Sequence, residues 1–245
     1  MKAILLAAGV GSRICNDIQK MPKSMLLVNE QPLIVHTVKL LRKNNIAVTV
    51  ITGYMHQIIE DAIRDLGATV YYNPFFKVTN SMGSLWYARD ELAPGEDVMI
   101  ANADVYYTQE LLDLILSTKK SNFLLSDKTR VNEGDYFFGS ENGVLKRYGK
   151  QLLPSERDSE YVGIGVLKNE WIEKFRTRLC QMIESGQYDL WWENVLYSLA
   201  EEEKVYTVDV DGIFWSEVDT ISDYHRVLEH CRNVQSSDPL LQTAN

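Results

Sequence analysis

The first chemically suggestive stretch is Leu6-Ala7-Ala8-Gly9-Val10-Gly11-Ser12-Arg13, where an apolar run breaks into two glycines, a hydroxyl and a guanidinium. Glycines at 9 and 11 permit positive φ and close ligand approach. Successive backbone N–H groups in such a turn can cradle phosphate oxygens. A dinucleotide fingerprint is excluded because Ile14 stands where its third glycine belongs, and no Gly-Lys-Ser/Thr closes the turn as a Walker A loop requires. Alone, Gly-x-Gly is equally the mark of an ordinary strand-to-helix turn. Pro22 then precedes Lys23 and restricts the backbone there, which helps hold one ammonium in place; an isolated loop lysine is otherwise simply solvated.

Two acidic residues complete the set. Phosphoryl-type transfer needs charge neutralisation on the phosphates, usually through Mg²⁺ held by carboxylates. Asp104 ends the apolar run Met99-Ile100-Ala101-Asn102-Ala103, at the carboxyl end of an expected strand, where parallel α/β sheets bind their ligands. Asp219 lies in Phe214-Trp215-Ser216-Glu217-Val218-Asp219-Thr220, just before an expected helix. Helix capping is the competing explanation at both positions.

The elements that must position these groups follow from periodicity. Apolar runs at 2–7, 46–52, 69–72, 97–101 and 123–126 read as strands, and helical spacing recurs at 33–43, 57–66, 81–91 and 109–118. Such alternation predicts a parallel sheet covered by helices. After Asp127 the pattern changes. Segments 136–139 and 144–148 flank Glu141-Asn142-Gly143, a strong hairpin signal. A strand at 161–167, helices at 171–184 and 191–201, a strand at 205–210 and a closing helix at 219–232 come next. The polar residues 235–245 read as frayed.

Composition sets limits. Net charge is −9, with 34 acidic against 25 basic residues, which disfavours a nucleic-acid partner but not a nucleotide held by a few local donors. No apolar run reaches the roughly 18 residues of a membrane helix, and the N-terminal one is too short for a signal peptide. Three cysteines, Cys15, Cys180 and Cys231, without CxxC spacing argue for a reducing, cytoplasmic setting and against structural zinc. Nor do His36, His56, His225 and His230 show metal-ligand spacing.

The composite of LAAGVGSR, a short spacer and PKSMLLVNEQPLI resembles the nucleotidyltransferase family that makes nucleotide-activated sugars and related CDP compounds. Within it the chain is most similar to the small cytidylyltransferases acting on phosphocholine, aminoethylphosphonate, phosphoglutamine or inositol 1-phosphate. The resemblance implies a three-layer, Rossmann-like (GT-A-like) fold: a mixed, mainly parallel sheet with helices on both faces and a small hairpin insertion. It implies one domain over 1–233, with a nucleotide-binding part at about 1–127 and an acceptor-binding part at about 128–233, then a flexible tail at 234–245. Arg13, Lys23, Asp104 and Asp219 become the catalytic candidates, Asp104 and Asp219 holding Mg²⁺. Leu6, Ala7, Ala8, Gly9, Gly11, Ser12, Arg13 and Lys23 would bind the nucleotide, as would Asn80 and Ser84, whose stretch Asn80-Ser81-Met82-Gly83-Ser84-Leu85 resembles the base- or ribose-binding segment of those enzymes.

The acceptor is less sharply marked. Ser185–Asn194 resembles the phosphocholine enzymes, whereas the stretches around Lys146-Arg147-Tyr148 and VDGIFWSEVDT are closer to the inositol phosphate enzymes. Tyr136, Trp191, Trp192 and Trp215 could offer faces to a cation or could simply pack the core. Glu217 is a further acceptor-binding candidate and a helper at the metal station. The implied activity is CMP transfer from CTP to an amino-alcohol phosphate or phosphonate. The alternative is a sugar 1-phosphate or inositol 1-phosphate nucleotidyltransferase using CTP, UTP or dTTP. The implied partners are small molecules, with no nucleic acid or membrane, and a homodimer is a family-level expectation. A glycosyltransferase would rely on an Asp-x-Asp motif, but Asp209-Val210-Asp211 falls at a late strand–turn junction.

Overall fold

The computed structural model describes residues 1–11 and 21–237. Its centre is a nine-stranded sheet. Strand β1 (Lys2–Ala7) pairs in parallel with Ala47–Thr52 (β4) on one side and with Val98–Asn102 (β6) on the other. Beyond β4 lies Thr69–Tyr72 (β5), also parallel. Between β1 and β4 the chain makes the small ribbon β2–β3 (Leu27–Val28, Gln31–Pro32). The sheet turns antiparallel where Ser159–Leu167 (β11) enters beside β6. Phe123–Asp127 (β8), Tyr206–Asp209 (β12) and the hairpin β9–β10 (Phe137–Glu141, Val144–Gly149) complete it.

Alternation along β1 explains the layers. Ala3, Leu5 and Ala7 enter a core capped by helices α1 (Leu33–Lys43), α2 (His56–Ile63) and α4 (Gln109–Ser117). Ile4 faces the opposite core, closed by α3 (Ser81–Tyr87), α5 (Ile172–Glu184) and α6 (Glu193–Leu199). A period of two on the strands thus meets helices on both faces, as expected from the sequence. The hairpin turn also follows local chemistry: Asn142 and Gly143 both adopt positive φ, 55° and 71°, as a two-residue turn of the primed type demands.

Boundaries moved where helices tighten. Expected helices at 57–66 and 81–91 each end in a 3-10 turn, Arg64–Leu66 and Arg89–Glu91. The last helix, α7 (Ile221–Ser237), starts later and runs further than expected. None of the described helices is long and apolar enough to cross a membrane.

Strand β11 is the pivot of the antiparallel half of the sheet. Its upper residues pair with β6, while Ser159 and Glu160 pair with β9. Its register against β8 shifts between Tyr161 and Gly165. Gly163 sits in that irregularity with φ of 86°, and a Cβ there would meet Val105 Cγ2 at 2.8 Å and Asn102 Nδ2 at 3.2 Å. Backbone conformation and space therefore both require glycine. Gly163→Val is expected to cost roughly 2–4 kcal/mol of stability, read as a lowered urea midpoint; an unchanged midpoint would show that β11 tolerates a regular path.

Candidate functional site

The sheet's carboxyl ends open onto a cavity of about 300 Å³. Its first wall is the turn after β1. Leu6, Ala7, Ala8, Gly9 and Gly11 line it, with Gly11 at φ 64°. The turn is anchored from both neighbours, since Tyr54 N–H donates to Ala8 O at 3.1 Å and Ala103 N–H to Leu6 O at 3.1 Å. A Cβ on Gly53 would strike Ala8 O at 2.6 Å, so the glycine lets the neighbouring strand end come this close. Ser12 and Arg13 lie outside the described residues.

Asn80 and Ser84 also line the cavity. Asn80 caps α3 by accepting the Ser81 N–H at 2.8 Å. Ser84 is held by Asn73, a fully buried residue whose Nδ2 donates to Ser84 Oγ at 3.0 Å and to Thr79 Oγ1 at 2.9 Å. Asn73 was not singled out by the sequence. Its place in Asn73-Pro74, a turn-forming dipeptide, was the available signal.

Charge gathers at the centre of the site. Asp104 leaves β6 and is followed at once by β7 (Val105–Tyr107), which pairs antiparallel with β13 (Trp215–Glu217). Val218 N–H continues the ladder to Asp104 O at 2.9 Å. This ribbon draws Asp104, Glu217 and Asp219 together, and one carboxylate oxygen from each lies within 4.8 Å of the others. Lys23 leaves Pro22 on a 3-10 turn. Its ammonium donates to Asp219 Oδ1 and lies 3.4 Å from Asp104 Oδ2. A third small core of Leu26, Val28, Leu33, Tyr106, Val218 and Val227 fastens the lysine's segment to the ribbon. The three oxygens are close enough to share one divalent cation, and oxygen ligands of this kind suit a hard ion. Burial pushes the Glu217 carboxyl up, the negative charge of Asp104 adds to this, and Lys23 opposes it. Glu217 thus sits in the carboxylate cluster, where it was foreseen as a helper, and it also lines the cavity.

The remaining wall is aromatic and acidic. Tyr136, Tyr161, Trp191, Glu193 and Tyr197 line it, with Glu160, Asp135 and Lys150. Glu160 is matched, its Oε2 accepting from Arg130 Nε at 2.6 Å. Glu193 is buried in the first turn of α6, and none of the described ion pairs includes it. Its desolvation pushes the carboxyl up to about 7, against the smaller pull of its own backbone N–H and the Tyr161 hydroxyl.

Two tryptophans foreseen at the acceptor, Trp192 and Trp215, are buried and do not line the cavity. Trp192 follows Trp191 in the chain but turns the opposite way, fully buried beside Phe175. A Cβ on Gly165 would touch its ring at 2.7 Å, so the glycine makes room for it. Trp215 is also core: its Nε1 donates to Asp127 Oδ2 at 2.7 Å. Asp209, of the Asp-x-Asp spelling, pairs with Lys128 at 3.6 Å and does not line the cavity.

Residues 3–128 match the MobA-like NTP transferase domain. The chain is 26% identical to the choline-phosphate cytidylyltransferase of Streptococcus pneumoniae, covering 95% of this chain and 99% of that protein. It is 28% identical to the Haemophilus influenzae enzyme of the same name, covering 94% and 97%. In fold it is similar to the inositol-1-phosphate CTP transferase from T. maritima, with a TM-score of 0.76 at 20% identity over 96% of each chain.

A pH prediction follows from Glu193. The folded chain keeps this proton up to about pH 7, whereas the unfolded carboxyl releases it near 4.5. Between those values the unfolded state binds fewer protons, so this group makes stability fall as pH rises and then level off above 7. Urea titrations of the ligand-free protein should show that loss reduced in Glu193→Gln, by no more than about 3 kcal/mol in total. Equal slopes in both proteins would mean that Glu193 is already ionised in the folded state.

Proposed function

We propose that this chain, which belongs to the MobA-like NTP transferase family, transfers CMP from CTP to a small phosphorylated acceptor with a cationic head group. Members of that family are nucleotidyltransferases, and the chain is an enzyme of that type. The acceptor expected here is an amino-alcohol phosphate or phosphonate, the product a CDP-linked compound and pyrophosphate. The observation that carries the reading is a single cavity holding a glycine turn, a lysine between two aspartates, and a buried acidic and aromatic wall. Near-full-length similarity to two choline-phosphate cytidylyltransferases supports CTP as the donor.

Each group then has a role. The backbone of Gly9 and Gly11 approaches the triphosphate, and Asn80 and Ser84 stand where base or ribose would lie. Asp104, Asp219 and Glu217 would hold Mg²⁺, which neutralises phosphate charge as a Lewis acid. Lys23, balanced between the two aspartates, meets the charge that grows on the leaving pyrophosphate, with Arg13 assigned the same task. The acceptor phosphate is already anionic, so no side chain need act as base. Its oxygen bonds to the α-phosphorus as the bond to the β-bridging oxygen breaks, and that electron pair leaves with pyrophosphate. Catalysis is positioning and electrostatics. The small-molecule substrates are the proposed partners, in keeping with the net charge of −9.

Pyrophosphate release tests this, with Mg²⁺ and each nucleoside triphosphate against phosphocholine, phosphoethanolamine, aminoethylphosphonate, phosphoglutamine, inositol 1-phosphate and glucose 1-phosphate. CTP-selective release with an amino-alcohol acceptor is expected, abolished by chelation and by Asp104→Ala. Lys23→Ala should lower kcat by about 10²–10³-fold, the loss typical of removing one preorganised charge donor. Selective release with UTP or dTTP and glucose 1-phosphate would overturn the cytidylyl assignment, and preference for inositol 1-phosphate would overturn the acceptor class.

A further inference from the structure

The aromatic wall has the composition to hold a quaternary ammonium, but its rings already have partners. The Trp191 face is covered by the chain's own Lys150, whose ammonium lies 5.4 Å from the ring centroid and is held by Asp135 at 2.6 Å. Tyr148 stacks on Tyr197 at 3.8 Å between centroids. Tyr136 is hemmed in by Trp191, Phe138 and Tyr161, all packed edge-on within 6.2 Å. These rings attract one another and the lysine, so a further cation at the wall would have to compete with these contacts.

What the wall does leave open is hydrogen bonding. Tyr161 and Tyr197 line the cavity and are 9% and 4% exposed; neither hydroxyl makes a well-aligned hydrogen bond, the Tyr161 hydroxyl facing Glu193 and that of Tyr197 facing Tyr136. Glu193 lines the same wall, with Tyr197 four residues further along the same helix and therefore on the same face. A buried carboxylate with no basic partner among the described ion pairs, and buried hydroxyls with only poorly aligned partners, are costly alone. A ligand that both carries positive charge and donates N–H bonds would relieve all three groups at once. A trimethylated nitrogen brings the charge but no donor.

We propose that the acceptor's head group is a hydrogen-bond-donating ammonium, a primary amine, held by Glu193 with the Tyr161 and Tyr197 hydroxyls, and that N-methylation weakens it stepwise. The proposal rests on the acceptor being a phosphorylated amino alcohol and names its class.

The test is an N-methyl series: phosphoethanolamine, its mono- and dimethyl derivatives and phosphocholine, each with CTP and Mg²⁺. The wild-type kcat/KM should fall along the series, by about tenfold or more overall, the scale of one lost charge-assisted hydrogen bond. Glu193→Gln and, as a milder change, Tyr197→Phe should flatten the series. Calorimetric binding of the same four compounds in the presence of a non-hydrolysable CTP analogue should give the same order, so a slow variant still reports. Turnover that is level or rises towards phosphocholine in the wild type would overturn the primary-amine assignment and leave the cytidylyltransferase reading standing. No turnover of any member, with CTP bound, would remove both.

Discussion

The site depends on one pairing: three residues after Asp104 against three before Val218. Strand β7 is short, and so is its partner β13, yet this ribbon fixes the carboxylates of Asp104, Glu217 and Asp219 within reach of one another. Like charges so placed repel, and the low dielectric of a half-buried site magnifies the repulsion. The Lys23 ammonium offsets it, and the small core behind the ribbon holds the lysine in place. A cation site can be preorganised in this way only because the backbone ladder and apolar packing oppose the electrostatics.

The acceptor wall shows a related tension. Glu193 is buried near three tyrosines with no basic partner among the described ion pairs, and its carboxyl is held up by desolvation. A sequence shaped only for stability would place an apolar residue there, because an unmatched buried charge is destabilising. Glu160, by contrast, is matched by Arg130 and helps knit β11 to the segment before β9. Two buried glutamates in one cavity thus differ: one is paired within the wall, and the other has no basic partner among the described ion pairs. The two walls are also one body, because Asn80 and Met82 N–H groups donate to Tyr188 and Leu190 carbonyls at 3.1 Å, and Trp192 N–H to Ser81 Oγ at 2.9 Å.

Much of this was legible in the sequence, for identifiable reasons. Strand 2–7 and helix 33–43 agree with the structure to the residue because their apolar periods are long and unbroken. Asp104 was marked by position, as the first acid after a central strand. The ribbon β7–β13 was not legible, since a three-residue strand has no measurable period and its partner lies far along the chain. Trp191 and Trp192 illustrate another limit. Adjacent residues at a helix start point in different directions, and composition cannot say which ring meets the cavity. What sets Glu217 beside Asp104 is its pairing with Val105, which is invisible in sequence.

The same ribbon has a consequence for the order in which the protein comes into being. During synthesis the phosphate-binding turn, Lys23 and Asp104 all emerge early, and the parallel strands β1, β4 and β6 can associate as soon as residue 102 is available. The partner strand β13 and Asp219 follow much later in the chain. Because long-range pairings form only after loop closure, a nascent or truncated chain would carry a nucleotide-binding half with an incomplete carboxylate set. Closing the carboxylate cluster is therefore a late event, because it waits for β13 to pair with β7.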